Sequence, residues 1–231
     1  MSPQPSSTPP ACLGGLAALQ QAHLVALSRQ LNASGRLHDP HRNQPTPSNH
    51  YAQTSLSLAL ACAGRSAQHV LQPLQAWLEL SDVQRGHHPF NRLMLLLLQR
   101  HARKHGYDAH AHAAIAEGLS RCPLQQLYPS NNWGVLAQVC RILEAPERAR
   151  AQPIAVLCGL IERWTTPAGA FIDYPPRPQS GGRVSTPLAY HHKVLFLAAL
   201  VAHLCGEQAP PTLFAHLRRL YGWLVHCWDH N

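Results

Sequence analysis

Apolar residues recur along this chain at helical spacing, and Gly, Pro, Asn and Ser interrupt them at intervals. Those two signals predict nine helices, near 11–32, 50–64, 66–80, 89–104, 108–120, 131–145, 150–165, 187–205 and 211–228. The breaks are "NASGRLHDPHRNQPTPSN", "GHHP", "YPSNN", "TTPAG" and "CGEQAPP". Two kinds of helix alternate. The second, fourth, sixth and eighth are apolar on most sides, as in "RLMLLLLQ" and "VLFLAALVAHLCG". The others are one-sided; in the ninth, Leu213, Leu217, Leu220 and Leu224 form a stripe that leaves Arg218 and Arg219 off it. A helix apolar all round is buried, whereas a striped one covers a surface. The expected fold is therefore all-α, an incomplete toroid or arc of four to five helical hairpins, with residues 11–231 forming one domain behind a disordered lead-in at 1–10.

An internal echo supports the hairpin order. "SGRLHDP…SNHYAQTSLSLALACAG" at 34–64 resembles "AGAFIDY…TPLAYHHKVLFLAAL" at 168–200. Gly35, Leu37, Asp39 and Tyr51 match Gly169, Phe171, Asp173 and Tyr190. The C-terminal "YGWLVHCWDHN" resembles the segments that lead into those glycine turns, but no turn follows it. An open arc, which a second copy of the chain could complete as a homodimer, is the expectation.

In such a ring the buried helices run parallel, so their N-termini emerge on one rim. The four openings are "SNHY", "GHHPFN", "SNNW" and "AYHH", which place Tyr51, His88, Asn91, Asn132, Trp133, Tyr190, His191 and His192 there. The long loops at 33–49 and 167–187 add Arg36, Asp39, Arg42, Asp173, Tyr174, Arg177 and Arg183. Helix N-termini favour anions, aromatic rings stack on sugars, and His and Tyr exchange protons. Each opening also reads as ordinary capping, with Ser130 or Asn131 serving the sixth helix and leaving Asn132 and Trp133 to face a ligand.

Charge narrows the partners. The formal net charge is +8, almost all of it from arginine, since Lys104 and Lys193 are the two lysines. Arginine suits bidentate contact with carboxylate or phosphate. No dense basic run marks a nucleic-acid surface. No uninterrupted apolar run, "LMLLLL" included, is long enough to cross a membrane, and no secretory leader is visible, so the expected location is cytoplasmic. Seven singly spaced cysteines suit reduced core thiols rather than zinc fingers or a disulfide framework.

At "NNW" and at "GAFIDY…PLAYHH" the chain resembles the α/α-toroid polysaccharide lyases of the alginate-lyase and heparinase II/III-like groups. The resemblance implies a protein that acts on or binds a uronate-containing polysaccharide by β-elimination, without a cofactor or metal. It casts Asn132 as the group that neutralises the uronate carboxylate and Tyr190 as acid or acid/base. His191 would be the base, with His88 its rival, and Arg183 a carboxylate contact. Trp133, Tyr51, Asn91, His192 and Tyr174 would line the substrate. Neutralising the carboxylate stabilises the enolate-like charge that follows proton removal.

Three alternatives stand beside it. A glycoside hydrolase on the same toroid would use Asp39 and Asp173 as its two carboxylates, unless each merely pins its own glycine turn. His101 and His105, one helical turn apart, could hold zinc, but no HExxH and no nearby carboxylate accompany them. A non-catalytic helical scaffold would bind a glycan or peptide without turnover.

Overall fold

The computed structural model describes residues 11–39, 41–45, 49–174 and 188–227. Among them are nine α-helices: α1 (Ala11–Arg29), α2 (Asn49–Cys62), α3 (Ala67–Leu78), α4 (His88–Lys104), α5 (Ala109–Ser120), α6 (Asn131–Glu144), α7 (Ala151–Arg163), α8 (Leu188–Cys205) and α9 (Pro211–Val225). The sole described sheet pairs two-residue strands, β1 (His38–Asp39) and β2 (Gln44–Pro45), antiparallel. The protein is all-α, as its periodicity requires.

The chain groups into two compact units where the sequence suggests one domain. The first comprises Met1–His87 and Leu97–Arg121, the second His88–Leu96 and Cys122–Asn231. In the first, α2 packs on α1 and α3, and α3 packs on α5. Leu56, Leu60, Val70, Leu74, Trp77 and Ile115 form its core. In the second, α6 packs on α7 and α8, and α9 on α7 and α8. Its core holds Val135, Leu136, Val139, Ile142, Leu157, Ile161, Phe171, Val194, Leu197 and Leu220. Each such leucine or isoleucine contributes about 1.5–3 kcal/mol by leaving water. Within each unit a helix touches neighbours one or two places along the chain.

The sequence echo is a structural one. After α1, Asn32 N–H donates to Arg36 O, Gly35 N–H to Asn32 O and His38 N–H to Gln30 O. After α7, Thr166 N–H donates to Ala170 O, Gly169 N–H to Thr166 O and Ile172 N–H to Trp164 O. The bonds correspond one for one. Gly35 (φ 75°) and Gly169 (φ 96°) occupy the left-handed region that glycine alone enters freely. A Cβ at either would meet a carbonyl oxygen, that of Gln72 on α3 or Arg219 on α9, closer than 3.0 Å. Each turn then buries an apolar residue, Leu37 or Phe171.

The echo continues one register away from the Tyr51–Tyr190 match. Gln53 Oε1 accepts from Leu37 N–H (3.3 Å), and His191 Nδ1 accepts from Phe171 N–H (3.1 Å). Gln53 and His191 are therefore the equivalent positions, so Tyr51 aligns with Ala189. The unequal loops before α2 and α8 hide that register in the sequence.

One helix answers differently from the apolar-run argument. Leu188–Gln208, 21 residues of mean hydropathy 1.4, is long and apolar enough to cross a membrane by length and composition. The contiguous-run reading missed it because His and Lys residues break the run near its start. The sequence pattern also predicts burial on most sides of α8, but only one face (Val194, Leu197, Ala198, Val201) is buried, while Leu188 and Phe196 are exposed.

Candidate functional site at the openings of α6 and α8

The Gly169 turn does more than reverse the chain. Two residues beyond buried Phe171 it delivers Asp173 to the N-terminus of α6. Asp173 O accepts from Asn131 N–H (3.0 Å), and Asp173 Oδ1 accepts from Asn132 N–H (2.9 Å). Asn131 Nδ2 donates back to Ile172 O at 2.8 Å. A carboxylate here faces unsatisfied N–H groups and the positive end of the helix dipole. Ser130 has the extended backbone of a cap but makes no side-chain cap bond. The cap of α6 thus comes from a residue far along the chain, not from Ser130 or Asn131 as local sequence suggests.

Asn132 is enclosed by this arrangement. Its Nδ2 donates to Asp173 Oδ1 (2.6 Å) and to Ser130 Oγ (2.8 Å), and the residue is fully buried. Its Oδ1 accepts from Lys193 Nζ at 2.7 Å. That ammonium lies 5.6 Å from the centroid of the Trp133 ring, within cation–π range. Burial pushes the Lys193 amine down to about 8, against the opposing pull of the Asp173 carboxylate. Asp173 Oδ2 is buried without a hydrogen-bond partner among the described residues. A buried carboxylate, an amide and a half-buried amine are joined in series, with a tryptophan ring beside the amine.

No protein-family model, curated protein or solved structure matches the chain. The site must be read from its own chemistry.

Several expectations change. Asn132 does not face a ligand: every polar atom of its side chain is bonded inside the protein. His191 is not available as a base. Its Nδ1 accepts from Phe171 N–H, which places the proton on Nε2, and Nε2–H donates to Leu220 O at 3.0 Å. The ring packs on Trp223 (centroids 4.4 Å apart), is fully buried, and is held neutral by a pKa that burial lowers. His192 is exposed, and its Nδ1 pairs with Leu188 O at 2.8 Å. Tyr190 is 37% exposed, one turn before Lys193 on α8.

Asn91 is fully buried and His88 half-buried near the start of α4, and Tyr174 is half-buried. Tyr51 belongs to the first unit, where its ring meets His87 edge-on at 5.6 Å. Arg177, Arg183 and the 1–10 lead-in lie outside the described residues.

The two candidate hydrolase carboxylates both have local tasks. Asp39 Oδ1 accepts from His41 N–H (2.9 Å) and Arg42 N–H (3.3 Å), which lowers its pKa. Asp173 caps α6 and is sealed from solvent. Neither is presented as a free acid or base, so this geometry does not favour a hydrolase. The rings of His101 and His105 stack with centroids 4.1 Å apart. No cluster of three His, Cys, Asp or Glu suited to a metal occurs among the described residues. Grooves of about 410 Å³ beside Leu24, Leu27 and Cys62, and about 230 Å³ beside Arg150, Ile154 and Thr212, contain neither Asn132 nor Lys193.

Lys193 is the residue that sequence reasoning passed over. One signal was available: one of only two lysines sits in the first turns of a strongly apolar helix. Its link to Asn132, 61 residues earlier, was not visible.

Proposed function

We propose that this chain is a toroid-type helical protein that recognises an acidic, uronate-containing saccharide, with Lys193 rather than Asn132 meeting the carboxylate. Contacts within each unit between helices one and two places apart along the chain support the toroid. The observation that carries the function is the placement of Lys193: Asn132 Oδ1 holds its amine at 2.7 Å over the Trp133 ring. An ammonium directed by a buried amide is a preorganised carboxylate partner, and the neighbouring indole suits a sugar face. Asn132 keeps a role in the site, but as the group that positions the cation.

Tyr190 favours elimination over binding alone. It is exposed on α8 one turn from Lys193. With the carboxylate neutralised by Lys193, the side-chain oxygen of Tyr190 would take the α-proton as its own proton passes to the departing glycosidic oxygen. The test is incubation of the full chain with a panel of uronate polymers. Ultraviolet absorbance follows the unsaturated product, and calorimetry follows binding. Lys193→Met is expected to abolish binding, and Tyr190→Phe to abolish turnover with binding kept. Binding without absorbance change in the wild type leaves a glycan-binding scaffold. Neither signal from folded protein refutes the saccharide reading.

A further inference from the structure

We propose that Lys193 is also a nucleophilic amine that forms an imine with a flat aldehyde lying on the Trp133 ring. This goes beyond saccharide recognition, which needs the lysine only as a cation. Three features of the geometry support it. Lys193 is half-buried rather than sealed, so part of its side chain meets solvent. Asn132 Oδ1 accepts one N–H at 2.7 Å and thereby fixes the direction of the nitrogen. The Trp133 ring, 5.6 Å from Nζ, supplies a wall on which a planar ligand stacks.

The buried carboxylate of Asp173 bonds the same amide through Oδ1 and leaves Oδ2 without a partner among the described residues. It is the charged group whose field acts on the amine, and Trp133 and Asn132 are the α6 groups in contact with it.

The chemistry balances without an oxidant or reductant. The lone pair on Nζ attacks the carbonyl carbon, the C–N bond forms, and the oxygen takes up a proton to give a carbinolamine. Loss of the hydroxyl group together with the remaining amine proton releases one water and leaves the C=N bond. A free amine is the reactive species, and burial favours it by lowering the pKa to about 8. At pH 7.5 such an amine is about one-quarter unprotonated, against about one-thousandth for an ordinary lysine near 10.4. The weaker nucleophilicity of the weaker base offsets about ten- to twentyfold of that gain, leaving about a tenfold advantage.

The chain contains a built-in comparison. Lys104 is the other lysine, exposed at the end of α4. The full-length protein would be mixed with pyridoxal 5′-phosphate at pH 7.5, fixed with borohydride, digested and mapped by mass spectrometry. Expected is reduced adduct on the Lys193 peptide at about ten times the initial rate on the Lys104 peptide. Equal rates on the two lysines, or no adduct at Lys193, would overturn the proposal. Lys193→Arg removes the nucleophile, and with far-ultraviolet circular dichroism unchanged it should lose the fast adduct. Calorimetry of the wild-type chain with a uronate polymer reads the saccharide proposal by itself, so adduct without polymer binding, or binding without adduct, tells the failure of one from the failure of the other. Adduct formation in Lys193→Arg at the wild-type rate would also refute the assignment.

Discussion

Replacing Gly169 by alanine tests the chain of contacts that builds the site. Two costs are expected. The left-handed backbone at φ 96° disfavours a Cβ by about 1–2 kcal/mol. The new methyl would also lie within 3.0 Å of the Arg219 carbonyl oxygen and at 3.0 Å from Trp223 Cβ, so either the turn or α9 must shift. Overpacking of this kind costs about 1–3 kcal/mol. Gly106 is the control, since its φ is 64° but a Cβ there meets nothing within 4 Å. Gly106→Ala should therefore show the backbone term alone. The expected excess of Gly169→Ala over Gly106→Ala is about 2 kcal/mol, read from urea denaturation midpoints at equal m-value. A second readout ties the turn to the site: moving Asp173 off Asn132 should release Lys193, and its labelling rate should change in Gly169→Ala but not in Gly106→Ala. Equal destabilisation by the two substitutions would refute the close approach of α9. An unchanged Lys193 rate would refute the link from turn to amine.

Two further outcomes follow from buried titrating groups. Lys193 has a folded pKa of about 8, below that of an exposed lysine, so between about pH 8 and 10.4 the unfolded state binds more protons and stability must rise with pH. Wild type should gain on the order of 3 kcal/mol relative to Lys193→Met across that window, measured by denaturation at stepped pH; a flat difference contradicts the burial of the ammonium. His191→Gln should be tolerated to within about 1 kcal/mol because Gln53 makes the same bond in the first unit, whereas His191→Leu orphans Phe171 N–H and should cost about 2–3 kcal/mol. Equal losses in thermal denaturation would break that equivalence.

Much of the architecture was legible locally. A period of 3.6 residues and breaks at glycine and proline are properties of short segments, so all nine helices fall within three residues of their expected ends. The glycine turns were legible for the same reason: a left-handed residue followed by an apolar one leaves its mark in sequence, and both turns form as matched. Register was the first failure. The loops before α2 and α8 differ in length, and only hydrogen bonds to Leu37 and Phe171 N–H show that Gln53 pairs with His191.

The site failed for a deeper reason. Asn132 at the head of α6 looked outward because local rules offered Ser130 and Asn131 as caps. Whether a polar side chain faces solvent or a partner depends on what the rest of the chain brings to it, and here that is Asp173, 41 residues later. The same fact promotes Lys193, an amine whose chemistry comes from burial and from two residues on another helix. Sequence periodicity determined the helices and the two turns, because each is an interaction among near neighbours. Only the tertiary structure decided which polar groups those turns would seal and which amine they would leave poised, because desolvation and hydrogen bonding at that point come from segments distant in the chain.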